Sequence, residues 1–128
     1  CSTKNALVKA VALENSWPRV KLFLGIYFMS EQTNPGLGKV LAENGLDFVP
    51  EAHSYLKIDG KIRDVTGLEL SDVAFTESLQ VEIEISPEQI GNFKTEWHQN
   101  YLFEFAKTVH HSADELWNIR EKCIAALS

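Results

Sequence analysis

The chain has 128 residues, enough for one domain with one core, and carries 45% hydrophobic and 23% charged residues, an ordinary globular balance. Its formal net charge of −6 and scattered Lys and Arg residues argue against nucleic acid, because phosphate binding needs clustered cations. The longest apolar run, Val20 to Met29, is interrupted by Lys21 and falls short of the about eighteen residues of a membrane span, so no membrane partner is expected.

The first element expected is a helix over residues 2–15. Ser2 or Thr3 can cap it, Ala6, Leu7, Ala10 and Val11 form an apolar stripe at helical spacing, and Asn15, Ser16 and Pro18 end it. Residues 20–29 (VKLFLGIYFM) predict a buried strand. Asn34-Pro35-Gly36 is a turn, residues 37–43 a short helix closed by Asn44-Gly45, and Phe48-Val49-Pro50 leads into the next strand. Residues 51–65 predict a hairpin centred on Asp59-Gly60 and closed by Gly67. Residues 79–85 (LQVEIEI) alternate as a half-exposed strand should, with Glu82 and Glu84 expected to face solvent.

Ser86, Pro87 and Gln89 form a capping box that opens a helix whose stripe is Ile90, Phe93, Trp97, Tyr101 and Phe105, all expected in the core. A second capping box, Ser112 to Glu115, opens a last helix with Leu116, Ile119, Cys123, Ile124 and Leu127 on one side. No repeat or linker divides the chain. One α+β domain over residues 1–128 is expected: an N-terminal helix, an antiparallel sheet and two C-terminal helices, with chemistry in 1–67 and a helical region in 86–128.

Two cysteines at opposite ends, Cys1 and Cys123, form neither a metal-type pair nor a disulfide framework, which points to a reducing, cytoplasmic compartment. Cys123, on a helix stripe, reads as a small core residue. Cys1 opens the first helix. A cysteine nucleophile must be a thiolate, free Cys has a pKa of about 8.5, and helix N–H groups and dipole favour the anion. A two-residue turn at Asp59-Gly60 would pair Ile58 with Lys61, Tyr55 with Asp64 and His53 with Thr66. Those four outer residues then share one face, and His53 and Asp64 become diagonal neighbours roughly 7–8 Å apart at the backbone. Asp64 could then orient the imidazole and His53 could activate the Cys1 sulfur. A three-residue turn would put the two on opposite faces.

Cys1 at a helix start, Phe23-Leu24-Gly25-Ile26-Tyr27 on a strand, His53-Ser54-Tyr55 on the next and Asp64-Val65-Thr66 after it give an order that resembles the transglutaminase-like core of the papain superfamily. The likeness covers residues 1–66 and departs from the family at Tyr55, where Trp is usual, and Val65, where Pro is usual, which leaves the bacterial hydrolase-like branch. The resemblance implies a thiol hydrolase or acyltransferase that forms a thioester on an amide of a peptide or small molecule, through Cys1, His53 and Asp64, with no cofactor or metal. It also implies an oxyanion donor upstream of the cysteine, so the chain is expected to be an N-terminally truncated part of a longer parent that carries that donor.

Two other classes stay open. One is an N-terminal-nucleophile hydrolase using the Cys1 α-amine as base. The other is a non-catalytic binding or scaffold domain in which Trp97, Tyr101 and Trp117 line a partner surface. A homo-oligomer is compatible with each. His98, His110 and His111 lack ligand-spaced companions and are not read as a metal site, and Gly36-Leu37-Gly38-Lys39 lacks the length of a phosphate loop. Trp17 is expected in the core or an interface.

Overall fold

A computed structural model describes residues 2–14, 19–63 and 72–127. The elements are α1 (Ser2–Glu14), β1 (Val20–Met29), α2 (Gly38–Glu43), β2 (Val49–Ile58), β3 (Lys61–Arg63), α3 (Asp72–Ser78), β4 (Leu79–Ile85), a 3-10 turn (Pro87–Ile90), α4 (Asn92–Ala106) and α5 (Ala113–Ala126). The class is α+β. Four antiparallel strands lie in the order β3-β2-β1-β4.

β1 is the hub, paired along its whole length with β2 from Val20↔Ile58 to Met29↔Val49. Side chains alternate, so the sheet has two distinct faces. One is aliphatic: Leu22, Leu24, Ile26, Ala52, Leu56 and Ile85 are buried with Ala6 of α1, and Trp97 and Tyr101 of α4 pack against them. Full burial of a Leu or Ile side chain contributes about 1.5–3 kcal/mol, so this cluster is a principal source of stability. The other face is aromatic. Tyr27 and Tyr55 are buried with Phe75 of α3, and the same cluster runs through Met29, Leu37, Leu41 and Val49 to Ile119 and Cys123 of α5.

The β2–β3 hairpin has the expected two-residue turn. Ile58 pairs with Lys61, Lys57 with Ile62 and Leu56 with Arg63. Asp59 (φ 54°) and Gly60 (φ 79°) both take the left-handed conformation that such a turn requires. After β1, the Glu31 carboxylate accepts from the backbone N–H of Gly36 (2.7 Å) and Gly38 (3.0 Å), which holds its carboxyl below the usual range and closes the loop into α2.

Three expectations need correction. Half of the expected α1 stripe faces outward: Ala6 is buried as expected, but Leu7 is 63% and Val11 40% exposed, and Asn5, Lys9 and Ala12 are buried instead. The reason is polar. Asn5 Nδ2 donates to the Ser54 carbonyl (2.8 Å) and Lys9 Nζ to the Val20 carbonyl (2.6 Å), and these ties orient the helix. The Ser86 box forms, with the Ser86 N–H donating to Gln89 Oε1 (2.8 Å), but it opens a single 3-10 turn, and α4 starts only after Gly91. In α4 the fully buried side chains are His98 and Leu102, while Phe93 is exposed. The second box caps α5 as expected, and Leu116, Ile119 and Cys123 are buried, although Ile124 is not. Helix α3 goes beyond the elements expected from the sequence.

Candidate functional site

Of the three residues expected to act together, His53 is described, and Cys1 and Asp64 lie outside the described residues, as do Thr66 and Trp17. His53 stands opposite Gly25 in the middle of the β1–β2 ladder. It shares the aromatic face with Tyr55, as alternation predicts. Its ring lies 6.0 Å from Phe75, 6.3 Å from Tyr27 and 6.4 Å from Tyr55, centroid to centroid, and the residue is 8% exposed. Helix α1 packs on the opposite, aliphatic face, through Ala6 and through the bond from Asn5 to Ser54.

Beside His53 lies a polar group that takes in Glu82, which was expected to face solvent. Tyr55 Oη donates a short hydrogen bond to Glu82 Oε2, and Lys57 Nζ donates to Glu82 Oε1 at 2.5 Å. The Lys57 ammonium also stands 4.3 Å over the Phe23 ring. Glu82 is therefore half-buried and paired, not freely solvated; Glu84, two residues on, is exposed as expected. Gly25 makes the arrangement possible. It pairs with His53 on one side and Glu82 on the other, and Tyr55 crosses β1 over it. A Cβ at Gly25 would lie 2.7 Å from Leu79 Cδ1 and 3.1 Å from Tyr55 Oη, so space, not backbone conformation, demands glycine here. A glycine within an otherwise bulky apolar strand is the signal in the sequence that marks such a close approach.

Burial, reinforced by the Glu82 carboxylate, pushes the Tyr55 phenol far above its ordinary value. Burial acts to raise the Glu82 carboxyl, but the bonds from Lys57 and Tyr55 outweigh it and leave it below the usual range. The group is a mutually satisfied network in which Glu82 accepts from both Lys57 and the Tyr55 phenol.

A second buried network joins β2 to α4 and α5. Glu51 Oε1 accepts from Arg120 Nε (2.9 Å) and from the Ala52 N–H (2.9 Å), and His98 Nδ1 lies 3.7 Å away. His98 Nε2 is 3.0 Å from the Pro50 carbonyl, which can only accept, so that nitrogen carries the proton. Burial depresses the His98 pKa, against the opposing pull of Glu51. His98 is thereby a structural residue. His111 is another, with Nε2 donating to the Asn44 carbonyl (3.0 Å). Neither Glu51 nor Arg120 stands out in the sequence, because their pairing spans 69 positions.

Outside these networks, the side of the α4–α5 pair opens as a groove of about 630 Å³ lined by Gln99, Asn100, Leu102, Phe103, Asp114, Trp117 and others. Phe103 is 60% exposed at its rim. Trp117 lines it while packing on His98 (5.1 Å) and under the Arg120 guanidinium (4.7 Å). Trp97 and Tyr101, expected beside it, pack instead against the aliphatic cluster. Set against protein-family models, curated proteins and solved structures, the chain finds no match.

Proposed function

We propose that this domain is a non-catalytic binding module that holds an extended peptide segment carrying Lys or Arg in the α4–α5 groove. The observation that carries this reading is the lining. Gln99, Asn100 and Asn118 each present a donor and an acceptor, as a peptide unit does, and Trp117 and Phe103 give apolar surface between them. Asp114 supplies a negative charge at the same opening, in a chain of net charge −6. The size lies within the roughly 300–1,000 Å³ of ordinary ligand sites.

The test is titration of the labelled protein with a panel of short peptides containing Lys or Arg. Shifts of the Trp117 indole and the Asn118 carboxamide are expected, with Asp114→Asn weakening binding about tenfold, a loss in the usual range for a charge-assisted hydrogen bond. Resonances that stay fixed at millimolar peptide would end this reading.

A second reading keeps the transglutaminase-like core and its thioester chemistry at Cys1, His53 and Asp64. The observed pairing of Ile58 with Lys61 favours it, because that register is the one the constellation needs. Cys1→Ala should then abolish labelling by a thiol-directed electrophile under native conditions; equal labelling of the variant would remove it.

A further inference from the structure

The outward face of α1 is ordered in a way that solvent exposure alone does not require. At 100° per residue, Lys4, Leu7, Val11 and Glu14 fall within a sector of about 80° on the side opposite the buried Asn5, Lys9 and Ala12. Their spacing, 3-4-3, is that of the a and d positions of a helix-pairing seam. All four are exposed, and Val8 (37%) extends the apolar strip on one flank. The order is also complementary to its own reverse: cation, aliphatic, aliphatic, anion.

We infer that α1 is a self-association surface, and that its occupant is α1 of a second copy of this chain, packed antiparallel about a two-fold axis. In that arrangement position i of one copy meets position 18 − i of the other. Leu7 then meets Val11 twice, and Lys4 meets Glu14 twice, so the charges at both ends of the seam are complementary. A parallel pair would instead set Lys4 against Lys4 and Glu14 against Glu14. An interface related by a two-fold axis must be self-complementary, and this seam is. The crossing expected for such packing is about 20°. The inference uses only α1 and is independent of the groove between α4 and α5.

A single helix pair buries less than the roughly 1,600 Å² of a standard interface, so the dimer should be reversible, dissociating at micromolar concentrations. Sedimentation velocity of the full chain from about 5 to about 500 μM covers that regime. A monomer–dimer equilibrium is expected, weakened at least tenfold by Leu7→Glu. Since Leu7 is exposed, circular dichroism should show that variant folded. Lys4→Glu and Glu14→Lys should each weaken the homodimer several-fold. Their equimolar mixture should form a heterodimer at least as tight as the native dimer, because one chain then brings a carboxylate to each end of the seam and the other an ammonium to meet it. A single monomeric species across the range, a dimer indifferent to Leu7→Glu, or two charge variants that ignore each other would each overturn the inference.

Discussion

The two faces of the sheet solve the same burial problem with different materials. The α1 side is an aliphatic layer of Leu22, Leu24, Ile26, Ala52, Leu56 and Ile85, crossed by ties from Asn5 and Lys9 of the covering helix to strand carbonyls. The α3 side interlocks Tyr27, His53, Tyr55 and Phe75 around a gap left by Gly25, with Glu82 and Lys57 satisfied at its edge. An aliphatic layer tolerates adjustment one methylene at a time, whereas an aromatic layer threaded across a glycine has one way to fit.

Gly25→Val gives the sharpest test of that difference. Its added carbons would meet Leu79 and Tyr55 and separate Tyr55 from Glu82, so a loss of about 3 kcal/mol or more in urea unfolding is expected, at the upper end of overpacking costs. A loss under about 1 kcal/mol would mean that the aromatic side is as adaptable as the other.

The next effect concerns acid. His98 is buried with its pKa depressed, so below the ordinary histidine pKa of about 6.5 the unfolded chain takes up a proton that the folded chain refuses. Stability is therefore expected to fall as pH drops from about 6.5 towards the folded-state value, by up to about 1.4 kcal/mol per pH unit. His98→Gln, which retains a donor for the Pro50 carbonyl, should flatten that slope between about pH 6.5 and 5. An unchanged slope in the variant would assign it to other groups.

The smallest effect belongs to the aliphatic face. Ser54 Oγ is fully buried and finds no hydrogen-bond partner among the described residues. Ser54→Ala should be neutral or stabilising by up to about 1 kcal/mol, because an unpaired buried hydroxyl costs more than the methyl that replaces it. A loss above that size would reveal a partner for the hydroxyl.

How much was legible follows from the range of the interactions. A continuous apolar and aromatic run gave β1, the Asp59-Gly60 turn gave the β2–β3 hairpin and its register, alternation gave β4, and Ser112 with Glu115 gave the start of α5; each is decided by residues close in the chain. The orientation of α1 was not legible, because Asn5 is fixed by a carbonyl 49 positions away and overrides the apolar periodicity. Glu82 looked like surface because its partners Tyr55 and Lys57 are 27 and 25 positions earlier. In the candidate site, His53 and Tyr55 were correctly placed on one face, while the groove at Trp117 depends on how two helices meet, which no local pattern encodes.

Cys123 has a practical consequence for the thiol chemistry. It is fully buried against the α2 and β2 ends of the aromatic cluster, and burial, together with the charge of Glu51, pushes its thiol pKa up. With two cysteines in the chain, a Cys1→Ala protein keeps this one as its sole sulfhydryl. Alkylation there must wait for the fold to open, so slow residual uptake of reagent becomes a stopwatch for unfolding and supplies the background against which any faster reaction at position 1 is measured.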